Sequence, residues 1–284
     1  MYHTNSLKRK ITVLFAAPAI VFGAILLYFV FYNVWVSMHS GSKFIGLSAY
    51  SIIFSSSSFR STVAHSLIWS FIIIVVGNIL GMLFAGLIFY VNSNRLRTVF
   101  LSVFVYPLAI SSAASAVIWM WMYNYSSGID ILLTKIGFPA IHWVNYHLLL
   151  YSLILVSVWT FTGLAAIFYY ASFNGINKSV IESAHIDGAG PFRILVKILI
   201  PEAKNAFIVS TALLFIFTLR IFSLPYVAEE LNPFSRTMVE QVFYYYISID
   251  FPEASAVSVI IILIGIVVII PFALIGIKRW LKLA

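Results

Sequence analysis

Six long apolar runs, separated by short polar stretches, constrain this chain more than any other feature. They cover roughly 11–37, 63–92, 99–122, 147–172, 205–228 and 254–277. About 20 apolar residues suffice for a helix to cross the hydrocarbon core of a bilayer, so each run can span. Backbone polar groups find no water inside lipid, which makes such runs helical. They are too long for the alternating strands, about ten residues each, of a membrane barrel. Only 9% of the residues are charged, against about 25% in soluble domains. Lipid must therefore be the main solvent. The expected fold is all-α: a polytopic membrane protein of six transmembrane helices, one membrane domain over 1–284.

The basic residues orient the chain. Twelve of the seventeen Lys and Arg fall on one side of the six spans, among them Lys8, Arg9, Lys10, Arg95, Arg97, Arg193 and Lys197. Lys43, Arg60, Lys135, Arg220 and Arg236 make up the other five. The richer side is cytoplasmic by the positive-inside rule, so both termini are expected there, in a multi-pass protein of the cell membrane. This bias accounts for the net charge of +8 without nucleic acid as a partner. The basic start and apolar run resemble a signal peptide, but the run is too long and lacks a clear small-residue cleavage site. Pro18 is expected to bend the first helix or mark its start.

Of the cytoplasmic loops and tails, only 173–204 is long enough to fold. Ser179-Val-Ile-Glu182 has the spacing of a capping box, which predicts a short helix. Gly188 stands where a helix end favours positive φ. Pro191 suits the first position of a second helix, amphipathic from Phe192 to Ile200 and stopped by Pro201. The result is two short helices joined at Asp187-Gly188-Ala189. Such a pair is either an interfacial linker resting on its own bundle or a knob that seats in a partner's groove.

This segment resembles the EAA motif of binding-protein-dependent ABC importer permeases. Glu182, Ala184, Asp187, Gly188, Ala189 and Pro201 match the family pattern, Phe192 supplies its aromatic residue, and Ser183 replaces the middle Ala. Phe44-Ile-Gly-Leu-Ser-Ala-Tyr50, Arg97 with Tyr106-Pro107, and Trp119-Met-Trp121 with Gly128-Ile-Asp130 are similar to segments of the carbohydrate-uptake branch.

The resemblance implies the type I ABC importer permease fold with a cytoplasmic coupling-helix loop at 178–201. In it Glu182, Ala184, Asp187, Gly188 and Ala189 meet the ATPase. The implied partners are two ATPase subunits, a second homologous permease and an extracellular solute-binding protein, with a sugar as substrate. ATP and Mg would be bound by the ATPases, and no cofactor is expected in this chain. The sequence agrees: it has no Gly-Lys pair for a P-loop and no His-Glu-x-x-His or Gly-x-Ser-x-Gly motif. Cysteine is absent, which excludes thiolate chemistry. The chain is expected to be a permease and not itself an enzyme. Its abundance of Ile, Tyr and Ser beside few charges resembles importers of thermophilic archaea, and a monosaccharide such as glucose is the expected cargo.

Sugars are held by aromatic faces and hydroxyls. The fourth span offers Trp159, Thr160, Phe161 and Thr162, and the fifth offers Phe217 and Thr218. Trp159, Thr162, Phe217 and Thr218 are the chosen substrate-pathway candidates, with helix packing as the competing role. Arg220 is expected to snorkel or to pair with Glu229 or Glu230. His65, His147 and the Trp119, Trp121, Tyr123 and Tyr125 cluster read as interfacial. Glu229, Glu230 and Glu240 read as a solvated face or a docking surface for the binding protein. Gly77-x-x-x-Gly81 with Ala85 and Gly86 gives the second span a small face, for packing within the bundle or across the permease pair. The alternatives are an importer of a non-sugar solute and a secondary transporter. The latter would call for acidic residues in the span cores, and the sequence places none there.

Overall fold

The computed structural model describes residues 2–230 and 232–283, with side chains over 16–230, 232–272 and at 274. The basic residues Lys8, Arg9, Lys10, Lys278, Arg279 and Lys282, used above for orientation, lie outside the described side chains. The chain forms two compact units. One comprises residues up to Ser56 together with Val242–Leu263, and the other Ser57–Gln241 together with Ile264 onward.

The first unit contains α1 (Tyr2–Ser37), a two-residue antiparallel pair of β1 (His39–Ser40) and β2 (Lys43–Phe44), and α2 (Ser48–Ser55). Pro18 lies inside α1 and does not mark its start. The part of α1 with described side chains exposes large apolar residues such as Phe22, Phe29 and Phe31. A helix apolar all round is stable only where lipid or protein covers it. Its last turn is anchored by Ser37 and Tyr50, whose hydroxyls lie 2.8 Å apart.

The second unit holds α3 (Ser57–Phe89), α4 (Asn94–Ala109), α5 (Ser112–Met122), α6 (Ile129–Lys135), α7 (Leu149–Asn174), α8 (Lys178–Ile186), α9 (Pro191–Ile194), α10 (Ile200–Glu202), α11 (Lys204–Leu219) and α12 (Ser223–Glu229). Two further helices, α13 (Met238–Ile247) and α14 (Phe251–Leu283), each contribute to both units. Among the described residues, five helical stretches are long and apolar enough to cross a membrane: Ala16–Ser37, Ser57–Phe89, Leu149–Asn174, Lys204–Glu229, in which a short break at 220–222 separates α11 from α12, and Phe251–Phe272. The sixth apolar run is not one helix. It is α4 and α5, bent by 99°. Pro107 and the extended backbone at Ile110 end α4, and the Ser111 hydroxyl then accepts from the Ala114 amide at 3.2 Å to cap α5.

The core is α3 laid against α7 and α11. On α3 the buried positions run Ser66, Trp69, Ser70, Ile73, Gly77, Asn78, Gly81, Ala85, Gly86 and Ile88, a helical stripe in which small and polar residues outnumber large apolar ones. A Cβ on Gly81 would sit 2.6 Å from that of Ala165, and one on Gly86 would sit 2.7 Å from Leu195 Cδ1. Close backbone approach is how membrane helices gain dispersion energy when lipid offers no hydrophobic drive. The small face of the second span is therefore used within the chain.

Candidate functional site

Two regions carry the chemistry that the sequence suggests. The first is the exposed segment 178–203. Its opening differs from the expected capping box, because Asn177 caps α8 and its Oδ1 accepts from the Ser179 amide at 3.1 Å. Ser179 is thus already inside the helix, and Glu182 is exposed to solvent. The far end is a Schellman turn. Gly188 has φ +75, its amide bonds the His185 carbonyl at 3.0 Å, and the Ala189 amide bonds the Ala184 carbonyl at 2.9 Å. These bonds fix Asp187, Gly188 and Ala189 as a tight corner, with Ile186 86% exposed beside it.

Pro191 then opens the second arm at its first position. That arm does not stop at Pro201. It widens to a π-turn over Leu195–Leu199, where the Ile200 amide reaches the Leu195 carbonyl, and it continues to Glu202 before breaking at Ala203. Pro201 has no N–H to return to Lys197, and a local widening re-pairs the backbone around such a gap. Ile194, Leu195 and Leu199 are buried, while Phe192 is exposed. The arm is clamped to the end of α3 by Leu195 against Gly86 and by the Tyr90 hydroxyl donating to the Pro191 carbonyl at 3.2 Å. All five predicted contact residues, Glu182, Ala184, Asp187, Gly188 and Ala189, lie in this one segment: Glu182, Asp187 and Gly188 are exposed, Ala184 and Ala189 half-buried.

The second region is a cavity of about 240 Å³ beside the α4–α5 break. It is lined by Leu108, Ile110, Ser112, Thr160, Phe161, Phe217, Arg220, Ile221, Phe222 and Ser223. Phe161 and Phe217 stack with centroids 5.5 Å apart, and Arg220 Cζ lies 5.1 Å from the Phe217 centroid. The pair with Glu229 or Glu230 expected for Arg220 does not form; among the described residues its neighbour is this aromatic face, a cation–π contact. The hydroxyls of Ser112 and Ser223 form no hydrogen bond among the described residues.

Of the four chosen candidates, Phe217 lines this cavity. Thr218 is buried and donates to the Leu214 carbonyl at 2.9 Å, with Ser70 Oγ 3.0 Å away. Thr162 is buried with its hydroxyl on the Val158 carbonyl. Trp159 sits edge-on to Trp119 at 5.6 Å. Thr160, Phe161 and Arg220, also noted in the sequence, line the cavity but are left out of that set, and Ser112 and Ser223 are not among the sequence candidates at all. The helical spacing that joins Phe217 to Arg220 was visible, but the register of one span against another was not.

Two readings, one interfacial and one of a solvated or docking face, are corrected. Tyr123 is buried, its hydroxyl on the Ser152 carbonyl at 2.9 Å. Glu240 is not on a solvated face: it is 1% exposed and closes a capping box at the start of α13. There the Thr237 amide donates to Glu240 Oε2 at 2.9 Å. The same turn is tied to α3, because the Met238 amide bonds Ser66 Oγ at 2.9 Å and His65 Nδ1 lies 3.1 Å from the Arg236 carbonyl oxygen.

A bundle of apolar helices with a cavity of mixed polar and apolar lining, and an exposed helical pair clamped to the end of its core helix, defines a multi-spanning membrane transport subunit. Residues 77–278 match the family described as "Binding-protein-dependent transport system inner membrane component", and the chain belongs to that family. It is 43% identical over 283 residues to the glucose import system permease protein GlcT of Saccharolobus solfataricus, covering 96% of this chain and 99% of the relative. It is 26% identical to the osmoprotective compounds uptake permease protein GgtC of Synechocystis sp., covering 94% and 98%. The fold matches the crystal structure of a bacterial alginate ABC transporter in complex with an alginate pentasaccharide-bound periplasmic protein, with TM-score 0.78, 18% identity and 94% of each chain covered.

Proposed function

We propose that this chain is a membrane-spanning permease subunit of an ATP-driven sugar importer, with glucose as its first candidate cargo. The observation that carries the reading is the 178–203 segment, a rigid, exposed corner bearing Glu182 and Asp187 and clamped to the core helix α3. One side of the segment packs into the bundle through Ile194, Leu195 and Leu199, while the corner at Ile186, Asp187 and Gly188 stays exposed and suits a partner's cleft. The similarity to a glucose import permease supports glucose.

Two ATPase subunits take hold of the segment and supply the energy from ATP with Mg. A second homologous permease completes the pathway, and an extracellular solute-binding protein delivers the cargo. Both termini are cytoplasmic. ATPase movement rocks the bundle, and the solute passes between alternating openings near mid-membrane. In this half of the path Phe161 and Phe217 offer aromatic faces, Ser112 and Ser223 offer hydroxyls, and Arg220 offers a fork of donors. A polyol is suited to these groups because its hydroxyls can bond the Ser hydroxyls and the Arg220 fork while its C–H face stacks on the aromatic rings.

The test is co-purification of the tagged chain with its partners, followed by uptake of labelled glucose into proteoliposomes. Recovery of an ATPase and a second permease, with uptake that needs ATP and binding protein, is the expected result. The chain recovered alone, taking up solute without ATP, would make it a secondary carrier.

A further inference from the structure

We propose that Asn78 is a positioning residue for translocation: it locks the register of α3, α7 and α11, so that a displacement of the 178–203 segment reaches the far side of the core without slippage. The proposal rests on the importer reading above.

Asn78 lies about two thirds of the way along α3 and is 2% exposed. Its side-chain carbonyl accepts from the Tyr169 hydroxyl at 2.7 Å and from Ser210 Oγ at 2.8 Å. Its amide donates to the Ile74 carbonyl at 2.7 Å and to Thr211 Oγ1 at 3.3 Å. An amide side chain offers two acceptor sites and two donor hydrogens, so every one is used. Tyr169 belongs to α7, and Ser210 and Thr211 to α11. One residue therefore bonds the three helices that make the core.

Apolar surfaces alone specify register poorly in a membrane, since a Leu against lipid and a Leu against Leu differ little. Hydrogen bonds do specify it, because they weaken steeply with distance and angle. A slip of one residue moves a helix by about 1.5 Å, enough to break the Tyr169 or Ser210 bond. Asn78 also stands on the element that receives the thrust. Gly86, eight residues further on and about 12 Å along the axis, meets Leu195 of the exposed segment. Force entering α3 at Gly86 can pass into α7 and α11 at Asn78. Asn78 lines neither the cavity nor the exposed segment, so it touches neither the solute path nor the partner contact directly.

The test uses the complete complex in proteoliposomes, with glucose uptake and ATP hydrolysis measured separately. Asn78→Leu is expected to keep ATP hydrolysis within about twofold while lowering glucose taken up per ATP about tenfold, the scale at which single residues alter coupling. A second variant separates positioning from unmet polar groups. Asn78→Leu combined with Tyr169→Phe, Ser210→Ala and Thr211→Val removes every side-chain partner, which restores thermal stability but not uptake per ATP. Recovery of the wild-type ratio in that variant overturns the proposal, as does an equal fall of uptake and hydrolysis in Asn78→Leu. If wild-type uptake needs ATP and the Asn78 variants keep its ratio, only this proposal falls. If wild-type uptake does not need ATP, the importer reading falls and takes the proposal with it.

Discussion

Glu240 shows what one buried carboxylate does to a membrane protein's response to pH. Burial raises its carboxyl to about 7 from 4.5, against the lowering effect of the Thr237 amide and hydroxyl and of the Arg236 charge. A carboxyl raised in the folded state favours folding while protonated. Its contribution is greatest below pH 4.5, falls as pH rises, and reaches its full cost of about 3 kcal/mol above pH 7. Glu240→Gln keeps an acceptor for Thr237 and loses the charge. Thermal unfolding in detergent is expected to be less pH-dependent between pH 5 and 8 for this variant, with a gain over the wild type at pH 8. Glu182 is the opposite case. It is exposed, so Glu182→Lys should leave unfolding within about 0.5 kcal/mol of wild type while cutting ATP-driven uptake at least about tenfold through a repelled partner charge. Uptake at the wild-type level would remove Glu182 from the partner contact. The Thr237-x-x-Glu240 spacing was present in the sequence, but acidic residues between two spans look solvated when tertiary burial is unknown. The corner at Gly188 was legible because its cause is local: only a residue tolerant of φ +75 completes that turn.

At the scale of elements, α3 is limited by contact and α5 by its cap. Gly81→Ala places a methyl 2.6 Å from the Ala165 Cβ, with α7 backbone atoms at 3.0 and 3.1 Å, whereas Gly77→Ala meets only the flexible end of Leu214 at 3.3 Å. Gly81→Ala is expected to lower stability by roughly 1–3 kcal/mol through overpacking, and Gly77→Ala by clearly less. Thermal aggregation of the two purified variants compares them directly. Ser111→Ala removes the cap of α5 and should cost about 1 kcal/mol, read in the same assay. The other five spans could be located from hydropathy because lipid enforces helix wherever an apolar run is long enough. The break in the third was hidden by the same rule. Its flanks are as apolar as the other spans, and the local clues were Pro107 and the Ser111-Ser112 pair after it. Which glycine faced which neighbour could not be read at all, since a small-residue stripe looks the same whether it meets its own chain or another.

For the whole molecule, the absence of cysteine makes topology directly measurable. A single cysteine at exposed His185 should react with a membrane-impermeant maleimide only in inside-out vesicles, and one at exposed Ser126 only in right-side-out vesicles. The reverse pattern would invert the orientation argued from Lys and Arg. The broken third span has a further consequence, one of hydration. Between Ala109 and Ser112 the chain leaves the helix at a point where a straight span would lie in hydrocarbon. Peptide groups without helical partners are not tolerated against acyl chains and persist only beside protein or water. Protein or water must therefore cover the break, and the cavity bounded by Ile110 and Ser112 gives water a place to do so. An incoming polyol would exchange one aqueous shell for another and would never have to dissolve in the bilayer.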